Sequence, residues 1–144
     1  MIEQDTIRLL RECDAGVKMG ISSINDVLNY VRADDLKQLL VNCKSGHEAL
    51  DYEIREKLSE CQDEGKEPNP MAKTMSHAKT NMKLMMHESD STIADLMTDG
   101  CNMGVKSLSQ YLNQYKAADE PSKNIAKQLI RLEEQLAVDI RQYL

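Results

Sequence analysis

The chain contains no phenylalanine and no tryptophan, and its only aromatic side chains are five tyrosines. Proteins that bind single-stranded nucleic acid stack the bases on aromatic side chains. Proteins that follow a phosphate backbone carry excess positive charge, whereas this chain has a net charge of −6. We therefore expect no nucleic-acid partner.

Long apolar runs are also missing. No window approaches the roughly 18 consecutive apolar residues of a membrane-spanning helix. Residues 1–10, MIEQDTIRLL, have neither the basic region nor the apolar region of a secretory signal. We expect a chain that does not enter membranes and that lies in the cytoplasm.

The four cysteines are Cys13, Cys43, Cys61 and Cys101. They form no C-x-x-C pair, and no histidine follows them at zinc-finger spacing, which argues against a zinc ribbon. Each lies on or beside an apolar row of a predicted helix. This placement indicates small buried side chains in a reducing compartment.

Turn signals are few, and they divide the chain into helical segments. The clearest are the loop at 63–70 (DEGKEPNP), the break at 32–35 (RADD) and Pro121. No segment shows the alternation of a strand, and apolar residues between the breaks recur every three or four positions. The pattern predicts an all-α chain of one domain, 1–144, whose long helices span about 4–31, 34–61, 91–115 and 121–144.

A further helix is predicted between the two halves of the chain. Its apolar residues repeat at steps of four and three, at Met71, Met75, Ala78, Met82 and Met85. The polar run 87–91 (HESDS) favours a separate crossover helix over one very long helix continuing to 115. We interpret the methionine row as adaptable core packing, with a peptide-binding groove as the alternative.

Two parts of the chain match each other. Residues 13–33 align without a gap on residues 97–117, so that Gly16 meets Gly100 and Gly20 meets Gly104. Two residues are then added in the loop, and the second and fourth long helices align as well. That alignment pairs Leu50 with Leu136, Ile54 with Ile140 and His47 with Glu133. Each half is therefore predicted to be a helical hairpin, one over 4–61 and one over 91–144, joined by the loop and crossover helix of 62–90.

This pattern resembles a small bacterial ferritin-like domain family of unknown function. The resemblance rests on the glycines within the rows of the first and third long helices, the pair Asp99–Gly100, the G-x-E-P-like loop at Gly65–Pro68 and the lysine-rich crossover helix. It covers nearly the whole chain and implies a ferritin-like four-helix bundle built from two duplicated hairpins. Because its motifs are features of shape, it implies a fold rather than an activity.

Four glycines within predicted helices need a physical reason, because each costs roughly 1 kcal/mol relative to alanine. Gly16 and Gly20 share one helix face, as do Gly100 and Gly104. We expect the first and third long helices to cross closely there, glycine face to glycine face. A cavity for a ligand, or simple tolerance, are the alternatives.

Ferritin-like oxidases need about four inward carboxylates and two histidines for their metals. Here the fourth long helix has no histidine, and the Glu48-x-x-Asp51 pair lacks one too, so we expect no cofactor and no catalytic residue. His47 and Glu133 remain as polar residues on apolar rows, and we expect them to be partners of each other. If any residues bind a transition metal, the candidates are His47, Glu133, Glu48 and Asp51.

These observations favour a non-enzymatic bundle that acts by association, as a homodimer or by binding another protein. The alternative is a metal-binding or redox protein of ferritin type with a degenerate site, for iron or another transition metal.

Overall fold

The computed structural model describes residues 3–144 and consists of helices and the turns that join them. The helices are α1 (Gln4–Leu28), α2 (Asp34–Glu60), α3 (Pro70–Met86), α4 (Asp90–Gln114) and α5 (Glu120–Asp139), followed by a 3₁₀ turn at Ile140–Tyr143. The prediction of an all-α chain is confirmed. Among the helices of residues 3–144, none is both long and apolar enough to cross a lipid bilayer.

Local capping explains where three of the helices begin. The side chain of Asn69 accepts a hydrogen bond from the Met71 amide at 3.0 Å, ahead of Pro70 in the first turn of α3. Ser89 and Asp119 accept hydrogen bonds in the same way at the starts of α4 and α5. Because the chain leaves helical geometry at residues 87–89, the crossover helix and α4 are separate elements, as the polar run predicts.

The turn between α1 and α2 is hydrogen-bonded to the start of α4, and the turn between α4 and α5 is hydrogen-bonded to the start of α1. The Asp90 carboxylate, at the start of α4, accepts hydrogen bonds from the amides of Arg32 and Ala33 at 2.8 and 2.9 Å. At the other end of the bundle, Thr6 Oγ1 in α1 accepts from the Asp119 amide at 2.9 Å. The start of each of α1 and α4 therefore lies beside the end of the other, and the two helices run antiparallel.

The core lies between α1, α2, α4 and α5, and it forms two apolar clusters, one toward each end of the bundle. The row predicted for the second long helix is buried throughout: Leu36, Leu40, Cys43, His47, Leu50, Ile54 and Leu58. The cysteine prediction is confirmed for three of the four residues, since Cys61 is only partly buried. The three- and four-residue spacing of apolar side chains in the second long helix therefore identified its buried face.

The prediction that the methionine row is core packing is wrong. Met71, Met75, Met82 and Met85 are all exposed, and the buried residues of α3 are Thr80 and Leu84 on its opposite side. The side of α3 that faces the bundle buries Thr80 and Leu84, and two ion pairs lie at its edge. Lys83 Nζ lies 2.9 Å from Asp95 Oδ2, and His77 pairs with Asp26.

The loop after α2 is held against α1. The amide of Lys66 donates to Asp14 Oδ2 at 2.9 Å, and Arg11 donates to Asp63 at 2.9 Å. Gly65 has a φ of +86°, and a Cβ at this position would collide with the Asp14 carboxylate. Glycine is therefore required both by the backbone conformation and by the close approach to α1.

Candidate functional site

The two apolar clusters are separated by a polar layer, to which each of the four long helices contributes one residue. The residues are Gly20 of α1, His47 of α2, Gly104 of α4 and Glu133 of α5. On every helix the polar-layer residue lies between a residue of one cluster and a residue of the other. The layer therefore lies at the centre of the bundle.

His47 and Glu133 are hydrogen-bonded to each other, as their spacing on the apolar rows predicts. His47 Nε2 lies 2.8 Å from Glu133 Oε1, and His47 Nδ1 donates to the Cys43 carbonyl oxygen at 2.8 Å. With Glu133 ionised, both ring nitrogens donate, so the imidazole carries a positive charge. The two side chains form a charge-assisted hydrogen bond, and His47 is only 1% exposed to solvent.

The protonation of His47 follows from a competition between burial and its partners. Burial lowers the pKa of His47, but the hydrogen bonds to Cys43 and Glu133 and the negative charge of Glu133 outweigh it and raise the pKa to about 10. A neutral imidazole would leave the Glu133 carboxylate, which is 12% exposed, without its charged partner. The raised pKa favours a charged imidazole beside the Glu133 carboxyl group at neutral pH.

Two thiols border the polar layer. Cys43 Sγ lies 3.6 Å from His47 Nδ1, and Cys101 lies near Glu133. Burial, followed by the negative charge of Glu133, raises the pKa of the Cys101 thiol well above its usual range. A thiol held protonated in this way is a poor nucleophile. Cys43 precedes His47 by one turn on the same helical row, so spacing alone places these two together. Cys101 lies on α4, and its row gives no information on which helix it meets.

The two remaining candidate ligands do not join the polar layer. Glu48 is exposed, and Asp51 forms an ion pair with Arg55 on its own helix, at 2.9 Å. Within residues 3–144 no three His, Cys, Asp or Glu side chains converge as a metal site. Both nitrogens of His47 are already engaged in hydrogen bonds. This set of donors does not fit a two-iron centre, which requires carboxylates from all four helices.

The glycines do not face one another, so the predicted glycine-to-glycine crossing of α1 and α4 is wrong. A Cβ at Gly20 would lie 2.7 Å from His47 Nε2, and a Cβ at Gly104 would lie 3.4 Å from Glu133 Cδ. Gly16 faces Leu129 of α5, while a Cβ at Gly100 would meet nothing within 4 Å. Gly20 and Gly104 therefore leave space for the side chains of His47 and Glu133, and the backbones of α1 and α4 do not meet at these glycines.

Comparison of the chain with models of protein families, with curated proteins and with solved structures gives no match.

Proposed function

We propose that this protein is a non-enzymatic helical bundle that acts by self-association, with α3 as the contact. The observation that carries this proposal is the methionine face of α3, defined as Met71, Met75, Ala78, Met82 and Met85. Its four methionines are 73, 66, 63 and 87% exposed. Contiguous exposed apolar patches mark interaction sites, and methionine is frequent at adaptable binding surfaces.

The spacing of the methionine face suits a second helix. Its members follow one another at steps of four and three, which is the spacing of the apolar positions in a coiled coil. The opposite side of α3 is used against the protein's own bundle through Leu84 and the ion pair of Lys83. A copy of α3 is the partner whose apolar row matches this one in length and spacing, which favours a homodimer.

The proposal includes the fold described by the resemblance, a ferritin-like bundle made of two duplicated hairpins. Support comes from two pairs that are equivalent in the sequence repeat and are neighbours in space. His47 is hydrogen-bonded to Glu133, 86 residues further on, and a Cβ on Gly46 would lie 2.9 Å from Leu132 Cδ2. Equivalent residues meet in this way where two halves are related by an approximate two-fold axis.

Sedimentation velocity over a range of concentrations tests self-association. The wild-type chain is expected to form a dimer, and the double variant Met75→Glu, Met82→Glu is expected to remain a monomer, because it places charges in the apolar contact. The matched control is Val138→Glu, which adds a charge at an α5 residue that is 48% exposed. A wild-type chain that stays monomeric up to the millimolar range would refute the proposal, as would loss of the dimer in the control.

The second candidate function is metal binding by a degenerate ferritin-like site. It is favoured by the imidazole–carboxylate pair at the bundle centre, where ferritin-like proteins hold metals. Metal analysis after expression with iron, zinc and manganese separates the two candidates. A stoichiometric metal that is lost in His47→Gln would favour this second function, and a metal-free dimer would favour the first.

A further inference from the structure

The end of α3 collects three thioethers and one imidazole on the solvent side of the protein. Met85 and Met86 lie three and four residues after Met82, so each neighbours Met82 on the helix surface, and His87 follows as the C-terminal capping residue. The three methionines are 63, 87 and 71% exposed, and His87 is also exposed. We call these four residues the thioether cluster.

The chemistry of these donors selects a narrow class of ion. Thioether sulfur is a soft ligand that prefers Cu(I), and imidazole also binds copper. Methionine has three rotatable bonds, so sulfurs from neighbouring turns can converge on one ion without a change in the backbone. Hard cations such as Mg²⁺ or Ca²⁺ need several oxygen ligands, and α3 contains no aspartate or glutamate, while Glu88, next to His87, is a single exposed carboxylate.

Self-association accounts for the methionines of the regular row, because methionine is frequent at adaptable binding surfaces. Met86 lies beside that row, and its exposed side chain extends the group of sulfurs around the last turn. We propose that the thioether cluster binds one Cu(I) ion through the sulfurs of Met82, Met85 and Met86, with the His87 imidazole as the fourth donor.

The cysteines must be separated from this site, because thiolates also bind Cu(I) strongly. Cys13, Cys43 and Cys101 are 0, 8 and 2% exposed, and they lie inside the bundle. Cys61 is partly exposed and is the thiol able to compete from the surface. The Cys61→Ser variant of the full chain is therefore the background for the experiments.

Nuclear magnetic resonance of methionine methyl groups tests the site directly. Cu(I) is added under anaerobic conditions, in the presence of ascorbate, to Cys61→Ser protein labelled with ¹³C in the methionine methyl groups. The methyl signals of Met82, Met85 and Met86 and the ring signals of His87 are expected to shift together and to saturate at one equivalent. Absence of saturable shifts, or equal shifts at the 70% exposed Met103 of α4, would overturn the proposal.

Replacement of sulfur by carbon gives an independent test with a matched control. The triple variant Met82→Leu, Met85→Leu, Met86→Leu keeps an apolar surface but removes the sulfurs. Its Cu(I) affinity is measured by competition with a chromogenic Cu(I) chelator. The affinity is expected to fall by more than tenfold, since loss of a residue that only hydrogen-bonds to a metal ligand already costs about 10–100-fold. Met103→Leu is expected to leave the affinity unchanged, and an unchanged affinity in the triple variant would refute the site.

The copper site and the proposed self-association fail in different ways. Because leucine preserves the apolar surface, the triple variant is expected to dimerise as the wild type does in sedimentation velocity. Loss of Cu(I) binding with an intact dimer in that variant supports the site. A wild-type chain that binds Cu(I) but stays monomeric refutes self-association alone, and a dimer that binds no Cu(I) refutes the copper site alone.

Discussion

Gly20 is the position where one added methyl group tests the geometry of the polar layer. A Cβ there would lie 2.7 Å from both Cδ2 and Nε2 of His47 and 3.5 Å from Glu133 Oε1. The imidazole cannot swing away freely, because its two nitrogens are held by Cys43 and Glu133 at 2.8 Å each. Gly20→Ala must therefore push the ring off its partners or separate α1 from α2.

The expected change in the free energy of unfolding of Gly20→Ala is the difference between a gain in helix propensity and a cost of overpacking. Alanine is favoured over glycine within a helix by roughly 0.5–1 kcal/mol. Overpacking of a filled core costs about 1–3 kcal/mol, and the penalty approaches 3–5 kcal/mol if a buried ion pair is broken. We expect Gly20→Ala to lower the free energy of unfolding by up to about 2.5 kcal/mol in spite of its higher helix propensity, and by more if the ion pair is broken.

Gly100→Ala is the matched control, because Gly100 lies in the interior of α4 and a Cβ there meets nothing within 4 Å. This variant is expected to raise the free energy of unfolding by about 0.5–1 kcal/mol, from helix propensity alone. Urea denaturation followed by circular dichroism measures both variants. If Gly20→Ala is as stable as Gly100→Ala, the imidazole is not confined as described, and the explanation of the polar-layer glycines is wrong.

Three further predictions concern the ion pair, the loop and the crossover helix. The pKa of His47 rises from 6.5 to about 10 on folding, so the stabilisation by its protonated form is complete below pH 6.5 and is lost as the pH rises toward 10. In urea titrations at several pH values, Glu133→Gln is expected to flatten this decline and to lower the free energy of unfolding at pH 6.5 by about 3 kcal/mol. An unchanged pH profile in the variant would contradict the ion pair. Gly65→Ala is expected to cost more than about 1 kcal/mol in urea denaturation, because φ is +86° and the Cβ would collide with Asp14; a neutral result would contradict the loop geometry. Leu84→Ala is expected to speed amide hydrogen exchange in α3 while leaving α2 protected, since the 5% exposed Leu84 side chain attaches α3 to the core; equal acceleration in both helices would contradict local attachment.

Much of the helical core was predictable because burial of a helix leaves a repeat of three and four residues in the sequence. The second long helix illustrates this, since every member of its predicted row is buried. The same reasoning failed for α3, whose apolar row is equally regular but faces solvent. Periodicity identifies which residues share a face, and it carries no information on whether another element covers that face.

The candidate site was predictable only in part. The predicted alignment of the two halves pairs His47 with Glu133, and two polar residues on apolar rows need partners, which predicts the contact observed at 2.8 Å. The role of Gly20 and Gly104 was not predictable, because a helical glycine can equally serve a close crossing, a cavity or a large neighbouring side chain. The steric surroundings of each glycine distinguish these explanations.

Local propensity, capping and spacing along one helix are properties of the residues alone, so they were enough to predict the all-α class, the breaks between helices and the apolar rows. The predicted repeat also paired His47 with Glu133. The neighbours of Gly20 and Gly104, and the outward orientation of the α3 methionines, follow from the packing of the helices against one another. Those outcomes depend on contacts between different helices: Leu84 of α3 packs into the core cluster of the bundle, and His77 pairs with Asp26 of α1.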